Sequence, residues 1–172
     1  MHLLFCTLTE CLRQIIECRF LRIYYESKVT WKMVTDYLRC SPDFHGKPRY
    51  DSAIVDAGAG RLALVKLHFA FILEYGNKRY PLALVQPTQT PARTSRAPVR
   101  AAVQQDDIDH DLALCRVKAK KTPVFVPLRA IVRGALLYPD PVKKDEYLAV
   151  DTIETGDMFL RLKEMFPNRS LA

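Results

Sequence analysis

Two cysteine–histidine pairs offer the first chemistry to weigh. Cys40 and His45 enclose four residues, and His110 and Cys115 enclose four in the reverse order. Two thiolates and two imidazoles are a donor set for tetrahedral zinc. The tighter spacing that usually pins such ligands is missing, and Cys115 falls where a strand needs an apolar residue, a role that free cysteine fills readily. His45 also has Asp43 and Asp51 nearby, either of which can orient an imidazole as a general base. No G-x-S-x-G elbow, phosphate loop or H-E-x-x-H run accompanies it. The stretch "SPDFHGKPRYD" has a plainer account, because Ser41-Pro42-Asp43 and Gly46-Lys47-Pro48 are turn chemistry. It reads as a connector from a helix to a sheet. The expectation is a non-enzymatic protein with no catalytic residue, no metal and no cofactor.

The cationic residues are more informative. The 172-residue chain has a formal charge of +7 and a pI near 9.2. Between positions 111 and 133, Arg116, Lys118, Lys120, Lys121, Arg129 and Arg133 stand against a single acid, Asp111. After Gly134 the balance reverses, to five basic residues against seven acids. On a strand, Arg116, Lys118 and Lys120 share one face while Cys115, Val117 and Ala119 share the other. Such a stripe can hold the phosphates of DNA or RNA, or the acidic surface of a chromatin protein. A solvated surface is the bland alternative.

These residues need elements to place them. "TLTECLRQIIE" has capping-box spacing at Thr7 and Glu10, then Leu8, Cys11, Leu12 and Ile15 at helical intervals. Residues 1–18 are therefore expected as a peripheral N-terminal helix. "RFLRIYYES" alternates Leu21, Ile23 and Tyr25 with Arg22, Tyr24 and Glu26, as a strand does. "WKMVTDYLR", capped by Thr30, places Trp31, Val34 and Leu38 on one helical face, with Trp31 packed at a helix–sheet junction.

"RYDSAIVDA" reads as a strand and "GAG" as a turn. From Leu62 to Leu73 every odd position is apolar, whereas Lys66 and His68 fall on the even face. Gly76-Asn77 then offers a two-residue hairpin turn. That turn predicts Leu73 opposite Tyr80, Phe71 opposite Leu82 and Phe69 opposite Leu84, with Pro81 at an edge or bulge. Residues 87–109, rich in Pro, Thr, Ser and Arg before an acidic run, are expected as a mobile loop. "LALCRVKA", "PVFVPL", "GALLYP" and "EYLAVD" read as short strands, and Asp157 can cap a last helix whose face is Phe159, Leu162 and Phe166. Residues 19–166 then form one β-rich domain and 167–172 a tail. The expected class is mainly β (α+β): a small curved barrel or sandwich with flanking N- and C-terminal helices.

Five cysteines without a C-x-x-C pair suit free thiols in a reducing compartment, and no signal peptide is evident. The longest apolar run, Leu62 to Leu73, is 12 residues long and holds Lys66 and His68, too short and too polar to span a bilayer. An intracellular protein without a membrane partner is expected.

"VTWKMVTDYLRCSPDFHGKPRYDSAIVD", "YPLALVQP", "CRVKAK", "VPLRAIVRGALLYPD" and "DTIETGDMFLRLKEMF" resemble a group of uncharacterised proteins of mushroom-forming fungi, associated with transposon-like genes. The resemblance runs from about Arg19 onward and implies no particular activity. A fainter likeness, in element order and in Val126, Pro127 and Ile131 at a V-P-x-x-x-I turn, is to the bromo-adjacent homology barrel. It implies a chromatin-binding module by fold analogy alone. Together these features predict a binding module for nucleic acid or chromatin, with a protein-interaction or structural segment of a larger transposon-derived protein as the alternative and a hydrolytic or metal enzyme around His45 as the least favoured reading.

Overall fold

The computed structural model describes residues 12–89, 115–150 and 156–166. Strands dominate: β1 (Leu12–Glu17), β2 (Phe20–Glu26), β3 (Met33–Phe44), β4 (Lys47–Tyr50), β5 (Ser52–Asp56) and β6 (Leu62–Tyr75) come first. They are followed by β7 (Lys78–Gln89), β8 (Cys115–Ala119), β9 (Val124–Pro127), β10 (Ile131–Pro139) and β11 (Glu146–Val150). A single turn of 3₁₀ helix, Leu128–Ala130, joins β9 to β10, and the helix α1 spans Gly156–Met165.

The β6–β7 hairpin organises the rest. Its pairing sets Leu73 opposite Tyr80, Phe71 opposite Leu82 and Phe69 opposite Leu84, as the sequence predicts. Gly76 takes φ +58, a conformation open to glycine at no steric cost. The register then slips between Leu67 and Phe69, so that His68 is an extra residue in the ladder. The odd-position apolar face is consequently not continuous. Val65 and Leu67 share a core with Ala70, on the other parity. Pro81 lies just outside Leu82–Val85, the stretch over which β7 also pairs β9.

Beyond the bulge the two long strands change partners. β5 pairs the first half of β6 and β1 pairs the second. β9 and β8 divide the outer edge of β7 in the same way. Following the pairings β6–β5–β10–β11–β8–β7 and back to β6 closes a six-stranded antiparallel ring. The β7–β8 seam has two ladder pairs, Thr88 with Ala119 and Gln89 with Lys118, extended by bonds from the Lys120 amide to the Pro87 carbonyl and from the Gln86 side chain to the Lys120 carbonyl. The fold is thus a small, strongly curved barrel.

Two cores lie on opposite sides of this sheet. Ile54, Leu64, Cys115, Val117 and Ala149 fill the ring and meet Met158 and Leu162 of α1. The alternate residues Ala53, Val55, Val65, Leu67, Ala83 and Val85 form a second core, covered by Leu21, Leu38 and Cys40. Those three come from the separate β2–β3–β4 sheet. Both faces of β5 are buried, which explains its unbroken apolar run.

Several expectations need correction. Residues 12–17 are an edge strand paired to β6, not part of a peripheral helix, and the start of that predicted helix lies outside the described residues. "WKMVTDYLR" is not a helix, because Met33 onward belongs to the 12-residue strand β3. Pro87, Thr88 and Gln89 of the predicted loop are strand, while 90–109 and the tail 167–172 fall outside the described residues. The C-terminal helix is present, but it buries Met158 and Leu162 with Asp157 and Arg161, and Phe159 is only partly covered.

Truncation should separate core from surface. Leu67 is fully buried, so Leu67→Ala is expected to cost about 2–5 kcal/mol. Tyr80→Ala, at a 40 % exposed position of the same hairpin, should cost about 0.5 kcal/mol or less. Urea unfolding checks both, and equal losses would contradict the burial pattern.

Candidate nucleic-acid interface

The outer face of the β2–β3–β4 sheet carries an unusual set of side chains. Strand alternation puts Leu21 and Tyr25 inward and Phe20, Arg22 and Tyr24 outward. Pairing of β2 with β3 sets Phe20 opposite Arg39 and Arg22 opposite Tyr37. Arg22 and Arg39 are therefore diagonal neighbours, roughly 7–8 Å apart across the sheet. Phe20 and Tyr37 stack with centroids 5.6 Å apart and planes 8° from parallel.

The guanidinium groups extend this stack at both ends. Arg22 lies 4.8 Å from the Tyr24 ring and 6.0 Å from Tyr37. Arg39 lies 4.3 Å from Phe20 and 5.1 Å from Phe44, and Arg49 reaches the same Phe44 ring at 5.1 Å. The result is a ladder running Tyr24, Arg22, Tyr37, Phe20, Arg39, Phe44, Arg49. Each exposed cation–π step stabilises the sheet by about 0.5–1 kcal/mol. Arg49 also pairs with Asp51 at 2.9 Å. Among the described residues, no carboxylate forms an ion pair with the Arg22 or Arg39 guanidinium, although the Arg39 backbone amide donates to Asp51 Oδ2 at 2.7 Å.

One end of the ladder opens onto a groove of about 870 Å³ that Tyr24 shares with Trp31, Arg129 and Leu160. Trp31 sits on the β2–β3 loop at φ +56 and is 74 % exposed, so the expected packing at a helix–sheet junction is overturned. Its backbone is fixed nonetheless. The Trp31 amide donates to the Ser27 carbonyl at 2.9 Å, and the Ser27 amide donates to the Lys32 carbonyl at 3.0 Å.

That loop is anchored by a buried carboxylate. Asp157 Oδ1 accepts from the Lys28 amide at 2.6 Å. Its Oδ2 accepts from Arg133 Nη1 at 2.7 Å and from Arg161 Nε at 2.8 Å. Arg133 and Arg161 both lie over the Tyr25 ring, at 4.8 and 5.6 Å. Asp36 adds a further bond, accepting from the Gly134 amide at 2.8 Å. Burial pushes the Asp157 carboxyl up, but hydrogen bonds from Arg161, the Lys28 amide and Arg133 outweigh it and leave the pKa lowered.

The six cationic residues singled out by sequence do not form one stripe. Arg133 is buried in the Asp157 cluster. Arg116 is mostly buried and paired with Asp140 and Glu146. The backbone amides of Lys143 and Val142, together with Arg116, hold Asp140 at a pKa of about 2. Lys118, Lys120 and Lys121 do remain exposed, around a shallow cavity of about 500 Å³. Arg129 is exposed elsewhere, on the Trp31 groove. The ladder itself was missed because its members come from three strands, although the alternation of "FLRIYYE" shows the β2 part of it.

The cysteine–histidine pairs separate as well. Cys40 is buried in the outer core and Cys115 in the ring, while His110 lies outside the described residues. Burial raises the Cys40 pKa to about 11, so its thiol stays protonated near neutrality. His45 and Gly46 are the two turn residues of the β3–β4 hairpin, with φ +56 and +76. "SPDFHGKPRYD" therefore joins strand to strand, not helix to sheet. His68 is a half-buried strand residue whose Nε2 lies 3.0 Å from Gln86 Oε1.

No family model, curated protein or solved structure matches this chain. Among the described residues, no helix is long and apolar enough to cross a membrane.

The Asp157 cluster has a measurable consequence. Asp157→Asn removes the carboxylate shared by two buried guanidinium groups, leaving Arg133 with Asp36 at 3.6 Å, and should cost about 3–5 kcal/mol. Both Asp157 and Asp140 have lowered pKa values, so their contribution is present above the ordinary carboxylate pKa of 3.8 and is lost as pH falls through the folded-state values, about 2 for Asp140. Urea midpoints should therefore drop between neutral pH and pH about 2 in the wild type. The drop should be smaller in Asp157→Asn, and equal acid sensitivity would contradict the assignment.

Proposed function

We propose that this protein is a non-enzymatic module that binds nucleic acid, and that it does so through the outer face of β2, β3 and β4. The observation that carries this reading is the state of Arg22 and Arg39. Both side chains lie against ring faces, and neither guanidinium has an ion-pair partner among the described residues. A guanidinium flanked by rings keeps its N–H edge open, and that planar fork matches a phosphate bidentately. Tyr24, the ring that ends the ladder and lines the adjoining groove, supplies stacking surface for a base, which is tolerant of sequence. The formal charge of +7 favours a polyanion over long range.

Lys118, Lys120 and Lys121 offer a second cationic patch, with no aromatic side chain lining it among the described residues. It suits general attraction better than positioning. An acidic chromatin protein would use the arginines without needing the rings. The alternative, a protein-interaction or structural segment of a larger protein, draws its support from a different feature. β9 is an outer strand of the barrel sheet, with Val124 and Phe125 exposed.

Fluorescence anisotropy with labelled single-stranded DNA and RNA tests the proposal. Wild-type affinity should fall steeply with salt. In the Arg22→Glu, Arg39→Glu double variant most binding should disappear, and the log–log salt slope should flatten by about 1.4 if each residue contacts one phosphate. Reversing Lys118, Lys120 and Lys121 should weaken binding less. Failure of the wild type to bind any strand at low salt would sink the proposal, and tighter binding of an acidic peptide would favour a protein partner.

A further inference from the structure

We infer that the groove at the end of the ladder is a seat for one unpaired base, which makes the ligand a single-stranded rather than a duplex nucleic acid. This rests on the nucleic-acid reading above and assigns a second, distinct part to the site. The groove is continuous with the ladder through Tyr24, which is both the last ring over Arg22 and a wall of the groove. A strand whose phosphates lie on Arg22 and Arg39 thus delivers its next nucleotide to that opening.

The groove does not have the character of a phosphate site. Its acids, Glu26, Asp56 and Glu164, equal in number its cations, Lys28, Arg129 and Arg161. Lys28 is already paired with Glu164, and Arg161 with Asp157. A near-neutral opening with aromatic walls suits a flat, uncharged group, while the phosphates stay on the cationic ladder. Arg129 is exposed, and no ion pair holds it among the described residues. It is placed to meet the phosphate of the seated nucleotide.

Trp31 is the residue that gives the groove this specificity. It stands 74 % exposed, although a large aromatic ring is costly to leave in water. The Ser27 turn fixes its backbone at φ +56, and the Asp157 bond to the Lys28 amide ties that turn to α1. The backbone beneath the ring is therefore ordered before a ligand stacks on it. In a duplex the bases are paired and stacked inside the helix, and presenting one would require unpairing it.

Trp31 is the single tryptophan of the chain, so its emission reports directly on the groove. A single-stranded oligonucleotide should quench this emission with the same midpoint as its anisotropy curve. A strand of equal length made of abasic sugar-phosphate should bind with a similar salt slope but leave the emission unchanged, as should duplex DNA. Trp31→Ala should lower affinity for the base-bearing strand about tenfold, in the range seen when one stacking ring is removed, and leave abasic binding unaltered. Trp31→Phe should restore most of the loss. Strand binding without any change in Trp31 emission, or an unchanged preference for bases in Trp31→Ala, would overturn the base seat while leaving the ladder in place. Absence of strand binding altogether would overturn both readings.

Discussion

Asp157 is a carboxylate almost wholly removed from water, and three separately encoded parts of the chain converge on it. Arg133 brings the start of β10, Arg161 brings the middle of α1, and the Lys28 amide brings the turn after β2. A buried carboxylate is expensive unless all its acceptor sites are used, and here cations and an amide use them. Tyr25 lies beneath both guanidinium groups, so packing and charge pull the same pieces together. With β2 held at its end in this way, its inner residues rest on the outer core of the barrel. The remaining face of the β2–β3–β4 sheet then has nowhere to point but solvent.

The chain uses arginine in two ways, and the distinction carries the functional argument. Arg116, Arg133 and Arg161 are largely buried, and each has a carboxylate within reach. Arg22 and Arg39 are placed against rings instead. Rings orient a guanidinium without neutralising it. A purely architectural ladder would gain stability by adding acids between the cations, as happens at Arg49 with Asp51. The two central guanidinium groups have no ion pair among the described residues, which leaves their N–H edges available, while Asp51 is held by Arg49 and by the Arg39 amide.

Part of this was legible in the sequence. The alternation of β2, the apolar match across the β6–β7 hairpin and the run of short strands near the end all follow from a period of two. β3 was hidden because its inward face includes Asp36, which bonds to Gly134, while its outward face includes Met33 and Tyr37. Polar inside and apolar outside defeats alternation, and Trp31, Val34 and Leu38 then mimic a helical face. Arg133 and Asp157 looked like surface charges because each needs the other to be buried, and they are 24 residues apart. The ladder required a register for three strands before its rings and cations could be seen as neighbours. The bulge at His68 changes which parity is buried, an event no local pattern announces.

The seam between β7 and β8 has a consequence for the order of events when the chain folds. The β6–β7 hairpin is local, and its ten residue pairs can form soon after its turn. The ring closes only when β8 meets β7, far apart in sequence, a larger loop-closure entropy rewarded by two ladder pairs and by the bonds of Lys120 to Pro87 and Gln86. Such a join forms late and opens early. Native-state hydrogen exchange should therefore be fast at the Lys120 amide, which donates to the Pro87 carbonyl across the seam, and slower at the Ala119 amide, which donates to Asp145 on the β11 side. The β2–β3–β4 sheet rests on the other side of β5 and β6, so the barrel can open at its seam while the ladder keeps its shape.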